Sequence, residues 1–129
     1  MWEKKKKEVE DIKAFLGQGA EFEGKLIFEG SVRIDGIFRG EIHGRGSLVV
    51  GQGASLRANI DVGSIYISGE VQGNIEVKEK INIHSSGRFF GDVRTPVFVM
   101  EEGAVFDGRS HMDSTGGKNG DDKTELSLI

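Results

Sequence analysis

Cysteine is absent, so the chain has no disulfides, no thiolate nucleophile and no thiolate metal ligands, which suits a reducing compartment. Proline occurs once, at Pro96, and tryptophan and tyrosine once each. With no collagen-like triplet period, a polyproline helix is excluded. No apolar run approaches the roughly 20 residues of a membrane-spanning helix, and residues 1–20 have no apolar stretch of the secretory-signal kind. A formal net charge of −4 argues against general nucleic-acid binding, which rests on neutralising phosphates with Lys and Arg. The expected setting is therefore cytoplasmic.

Glycine is what the chain has in quantity: 20 in 129 residues, about twice the usual share. These glycines punctuate short clusters of branched and aromatic residues, the pattern of many short strands joined by tight turns. Three segments follow. Residues 1–14 form a lysine-rich, then acidic arm, expected to be flexible. Residues 15–109 hold nearly all the apolar side chains in a single β domain, and residues 110–129 form a polar tail, expected to be disordered. The tail closes on Leu126, Ser127, Leu128 and Ile129, either a docking motif or a solvated end.

Inside the core the chain counts. Alternating apolar pairs recur at Val32/Ile34, Leu48/Val50, Ile65/Ile67, Ile81/Ile83 and Phe98/Met100, at steps of 16 or 17 residues. Alternation within each pair is that of a strand, and the step is too short for a helical repeat. Alternate repeats resemble each other more than adjacent ones, so that GQGA stands at both 17–20 and 51–54. Near residue 98 two registers compete, because Val97 with Val99 alternates as well as Phe98 with Met100. The small residue in GEI, ANI, GNI and GDV (Gly40, Ala58, Gly73, Gly91) suits a corner where neighbouring coils approach closely. The architecture expected is all-β: a single-stranded, right-handed parallel β-helix, or β-solenoid. It has about six coils of 16–17 residues, a triangular cross-section and a length of about 30 Å at a strand spacing near 4.8 Å.

Both ends of such a rod expose unpaired backbone over an open core, and no strong cap is read at either. At the C-terminal end Val97, Phe98, Val99, Val105 and Phe106 exceed what one inward row can hold; at the N-terminal end Phe15, Leu16, Phe22, Leu26 and Phe28 crowd the first coil. These two sets are candidate polymer interfaces, or plugs of the core ends, or both. Contacts through opposite ends do not close and therefore propagate into filaments. In the arm, Met1 and Trp2 beside Lys4, Lys5, Lys6 and Lys7 form a candidate membrane-targeting segment: an interfacial aromatic with basic residues that suit an anionic leaflet. Alternatively the lysines only solubilise, or residues 8–16 form a short helix covering the first coil.

A catalytic reading has little to stand on. His43, His84 and His111 are possible imidazole ligands, as in a trimeric solenoid enzyme, but successive spacings that are not multiples of the repeat predict that they do not share a face. Asp35, Asp61, Asp92, Asp107, Glu101 and Glu102 form no evident acid–base pair. GQG and GRG lack the strand–GxxxxGK[ST]–helix setting of a phosphate loop, so no nucleotide, cofactor or metal is expected.

With these residues placed, AFLGQGAEFEGKLIFEGSVRIDGIFRGEI (14–42), GDVRTP (91–96) and EEGAVFDGR (101–109) together resemble the bactofilins, bacterial cytoskeletal polymer-forming proteins, across residues 1 to about 112. The resemblance implies a right-handed β-helix and end-to-end, nucleotide-independent, non-polar filaments with possible lateral bundles. It also implies attachment to the inner face of the cytoplasmic membrane through the arm, and work in cell shape or in placing envelope-synthesis proteins. No enzymatic activity is expected; the alternative is a small trimeric solenoid enzyme of the acyltransferase or carbonic-anhydrase type.

Overall fold

The computed structural model of the chain describes residues 12–112 and 125–126, with side chains from Phe15 to Met112. Branched and aromatic residues alternating with polar ones dictate strands, and among the described residues there is no helix. The elements are β1 (Ile12–Leu16), β2 (Glu21–Ile34), β3 (Ile37–Val50), β4 (Ser55–Ile67), β5 (Glu70–Ile83), β6 (Arg88–Arg94), β7 (Phe98–Met100), β8 (Val105–His111) and β9 (Glu125–Leu126). From β1 to β8 every pairing is parallel, and only β9 pairs antiparallel. Successive coils therefore stack in one direction, a parallel β-solenoid of six levels.

Each coil contributes three short faces. On the first, the pairs found by periodicity stack in register: Val32, Leu48, Ile65, Ile81 and Phe98 in one column, and Leu16, Ile34, Val50, Ile67, Ile83 and Met100 in the next. The second face sends in Phe22, Phe38, Leu56, Val71, Phe89 and Phe106. The third sends in Leu26, Ile42, Ile60, Ile75, Val93 and Ser110. These columns form one buried core, with Leu26 and Phe98 partly buried at its two ends. The open register at 97–100 is settled by Phe98 facing Ile81 and Met100 facing Ile83, which puts Val99 outward over Asn82.

Between the second and third faces lies the small-residue column Gly24, Gly40, Ala58, Gly73, Gly91 and Gly108. Gly40 has φ 136°, and a Cβ there would run into the carbonyl oxygen of Gly24 one coil below. Only glycine meets both demands.

The corner between the first and second faces comes in two widths. Asp35–Gly36 and Ser68–Gly69 make the narrow form; 17–20, 51–54, 84–87 and 101–104 make four-residue turns, each closed by a backbone hydrogen bond such as Ala54 N to Gly51 O at 3.0 Å. Compensation occurs at the third corner. The coil holding the 51–54 turn passes from Asp61 to Ser64, one residue fewer than the passage from His43 to Ser47 beneath it. Wide with short and narrow with long keep the step near 16 or 17, and they produce the likeness of alternate repeats. The first coil combines wide with long, so that Leu16 lies under Ile34.

Several expectations shift at the margins. The strand backbone begins at Ile12 and runs to His111, rather than from 15 to 109, because pairing with Ser31 and Val32 holds 12–14 and Ser110 continues the inward alternation. A helix over 8–16 is excluded for Ile12–Leu16, which is β1. The C-terminal end is also not uncapped throughout: β9 sets Leu126 opposite Ser110 and Glu125 opposite His111.

Candidate polymer interfaces at the two ends of the rod

At the N-terminal end the first coil supplies the last layer of each inward column. Leu16, Phe22 and Leu26 sit beneath Ile34, Phe38 and Ile42. Phe22 stacks on Phe38 with ring centroids 5.1 Å apart, yet is 41% exposed because its other face has no coil below it among the described residues. Phe15 is exposed but lies over Arg33 on the outer side of the first face. Phe28 is buried, since Gly44 above it has no side chain and a Cβ there would strike the Phe28 ring. Of the five residues singled out here, three face the end, one faces sideways and one belongs to the core. Ile27, 71% exposed on the outer side of the third face, was missed, because an apolar residue between two others on a strand reads as core.

At the C-terminal end Phe98 and Phe106 close the core. Phe106 stacks on Phe89 at 5.5 Å, and Phe98 meets it edge-on at 5.1 Å and 82°, an arrangement that aromatic quadrupoles favour. Phe106 is buried and Phe98 partly so, whereas Val97, Val99 and Val105 are exposed on the outer faces. Met100 completes the terminal layer, inward over Ile83 yet 39% exposed; its alternation with Phe98 was the signal that could have placed it in this set. Beside it, Glu101 ties the last two wide turns together. Its Oε1 accepts from the Ser85 backbone N at 3.0 Å, and its Oε2 lies 3.2 Å from His84 Nδ1.

Met1, Trp2 and Lys4 to Lys7 lie outside the described residues. The histidine expectation needs correction. His43 and His111 do share a column on the third face, through Asp61, Glu76 and Arg94, while His84 opens a wide turn. Spacings taken one pair at a time concealed that the outer two are four coils apart, about 19 Å at the usual strand separation. Among the described residues no three His, Cys, Asp or Glu side chains gather as metal ligands. Asp61 and Asp92 line a shallow open groove with His43, Asn59, Asn74 and Arg94, whereas Asp35 is tied to Arg33 at 3.0 Å in the corner.

The arrangement is thus a rod whose two ends each present a partly exposed apolar layer framed by strand edges, a surface suited to pairing with another rod end. The chain is 31% identical over 97 residues to Bactofilin BacP of Myxococcus xanthus, a match covering 75% of this chain and 40% of BacP. It is 29% identical over 98 residues to Bactofilin BacO of the same organism, covering 76% of this chain and 78% of BacO. The chain therefore matches less than half the length of BacP. A cryo-EM reconstruction of Thermus thermophilus bactofilin double helical filaments superposes with a TM-score of 0.69 at 30% identity, covering 75% of this chain and 98% of that one. Residues 14–111 match the family model described as Bactofilin, polymer-forming cytoskeletal, and the chain belongs to this bactofilin family.

Proposed function

We propose that the chain is a scaffold subunit of the bacterial cytoskeleton that polymerises end to end, without nucleotide, into non-polar filaments. The observation that carries this reading is the pair of partly exposed terminal core layers, Leu16, Phe22 and Leu26 at one end and Phe98 and Met100 at the other. A join at each end completes the ladder that a single rod leaves unpaired and removes these apolar groups from water, at roughly 25 cal/mol per Å². The double helical filaments of the Thermus thermophilus relative support it.

The arm, through Met1, Trp2 and Lys4 to Lys7, holds the filament to the inner face of the cytoplasmic membrane. One arm binds weakly, and a filament presenting many arms binds firmly. There the polymer helps to set cell shape or to position envelope-synthesis proteins. Among the described residues no helix is long and apolar enough to cross a membrane. Electron microscopy of the purified chain with no nucleotide or metal added should show long filaments; uniform trimers or monomers would overturn the reading.

A further inference from the structure

The two ends of the rod differ. At the N-terminal end β1 pairs only with Ser31–Ile34 of β2, so among the described residues nothing pairs with the outer edge of 21–28. At the C-terminal end β9 takes part of the edge, antiparallel to the coils, at Ser110 and His111.

A second observation points the same way. Ser110 ends the inward column of the third face, and Met100 ends one on the first. Both belong to the terminal layer, yet Ser110 is 0% exposed where Met100 is 39%. Phe106, in the same layer, is buried with Phe98 packed edge-on against it, whereas the strand paired to Ser110 is β9.

The residue beneath this cover is unlike the rest of its column. Ile42, Ile60, Ile75 and Val93 give way to a serine whose Oγ is buried without a hydrogen-bond partner. Lifting the cover returns the hydroxyl to water.

We infer that β9, Glu125–Leu126, is an edge strand that occupies part of the C-terminal end of the rod and must leave before that end joins another protomer. The inference rests on the end-to-end filament reading. One strand edge offers one row of donors and acceptors, so β9 and an incoming coil compete for Ser110–His111. Being on the same chain, β9 competes at high effective concentration. Among the described residues no strand competes for the N-terminal edge, which makes the C-terminal join the controlled step of assembly.

The test compares the full chain with a chain lacking residues 124–129 and with Leu126→Pro, which removes a backbone donor while keeping length. Both changes should lower the critical concentration for sedimentation by about threefold, the factor for an edge strand closed about two-thirds of the time. A synthetic peptide of residues 123–129 should restore the full-chain value. Equal critical concentrations in all three chains would overturn the inference. Amide exchange at Ser110 and His111, measured with the C-terminal join blocked by Met100→Arg, reads the pairing itself. Faster exchange after truncation is expected, and unchanged exchange sinks the proposal whether or not filaments form. If no chain pellets at any concentration while exchange still differs, the filament reading fails and the competition with it, although the pairing stands.

Discussion

Phe22 lies almost parallel to Phe38, the ring planes 11° apart and the centroids separated by 5.1 Å, so that one face of the Phe22 ring is packed and the other meets solvent. In the same column at the opposite end, Phe106 lies over Phe89 at 13°. Aromatic pairs therefore bracket an aliphatic middle of Leu56 and Val71.

The two ends can be blocked separately. Phe22→Arg places a charge in the N-terminal layer and Met100→Arg places one in the C-terminal layer, each with its own core largely intact. If joins are like-to-like, either variant should stop at dimers held by the remaining join, and the double variant should be monomeric. Analytical ultracentrifugation reads this directly; single variants that run as monomers would show head-to-tail stacking instead.

Adjacent residues on one strand should differ sharply in weight. Ile65 is fully buried between Leu48 and Ile81, and Ile65→Ala should cost about 2–5 kcal/mol. Tyr66 points outward, its ring 6.4 Å from that of His84 with Lys80 Nζ 5.8 Å above it. Tyr66→Ala should cost no more than about 1 kcal/mol. Urea unfolding of the end-blocked double variant avoids linkage to polymerisation.

Two glycines with positive φ should respond unequally to alanine. Gly53 has φ 91° and open space where a Cβ would go, so Gly53→Ala should cost only its backbone strain, about 1–2 kcal/mol. Gly40→Ala adds a collision with the Gly24 carbonyl to the same strain and should cost about 3 kcal/mol or more. Equal unfolding midpoints for the two variants would contradict the close approach of coils at that corner.

Membrane attachment is expected to depend on the arm and on assembly together. Deleting residues 1–7 should abolish co-sedimentation with vesicles containing anionic lipid, and blocking both ends should weaken it strongly by removing avidity. Binding that survives the deletion would assign attachment to another part of the chain.

The fold was legible because its signal is periodic: each inward pair from Val32/Ile34 to Ile81/Ile83 recurs at the coil step, and the structure stacks them in register. Which apolar residues face an end was only partly legible. Phe28 looks no different from Phe22 in sequence, and its burial depends on Gly44 one coil above. His43 and His111 share a column through three intervening coils, a relation that adjacent spacings hide. β9 was least legible, because its pairing with Ser110 and His111 joins residues far apart in a polar segment; only the alternation of Leu126, Ser127 and Leu128 hinted at a strand.

The two widths of the corner between the first and second faces show where this molecule can change length. An extra residue within a face would invert the pleat from that point on, whereas the turn at 51–54 already holds what Asp35–Gly36 manages without. A short peptide tag inserted between Gln52 and Gly53 should therefore leave every coil in register and project from one side of the rod at a fixed height. Along a polymer such tags would act as graduation marks, their spacing reporting subunit length and their grouping reporting whether neighbouring rods point the same way.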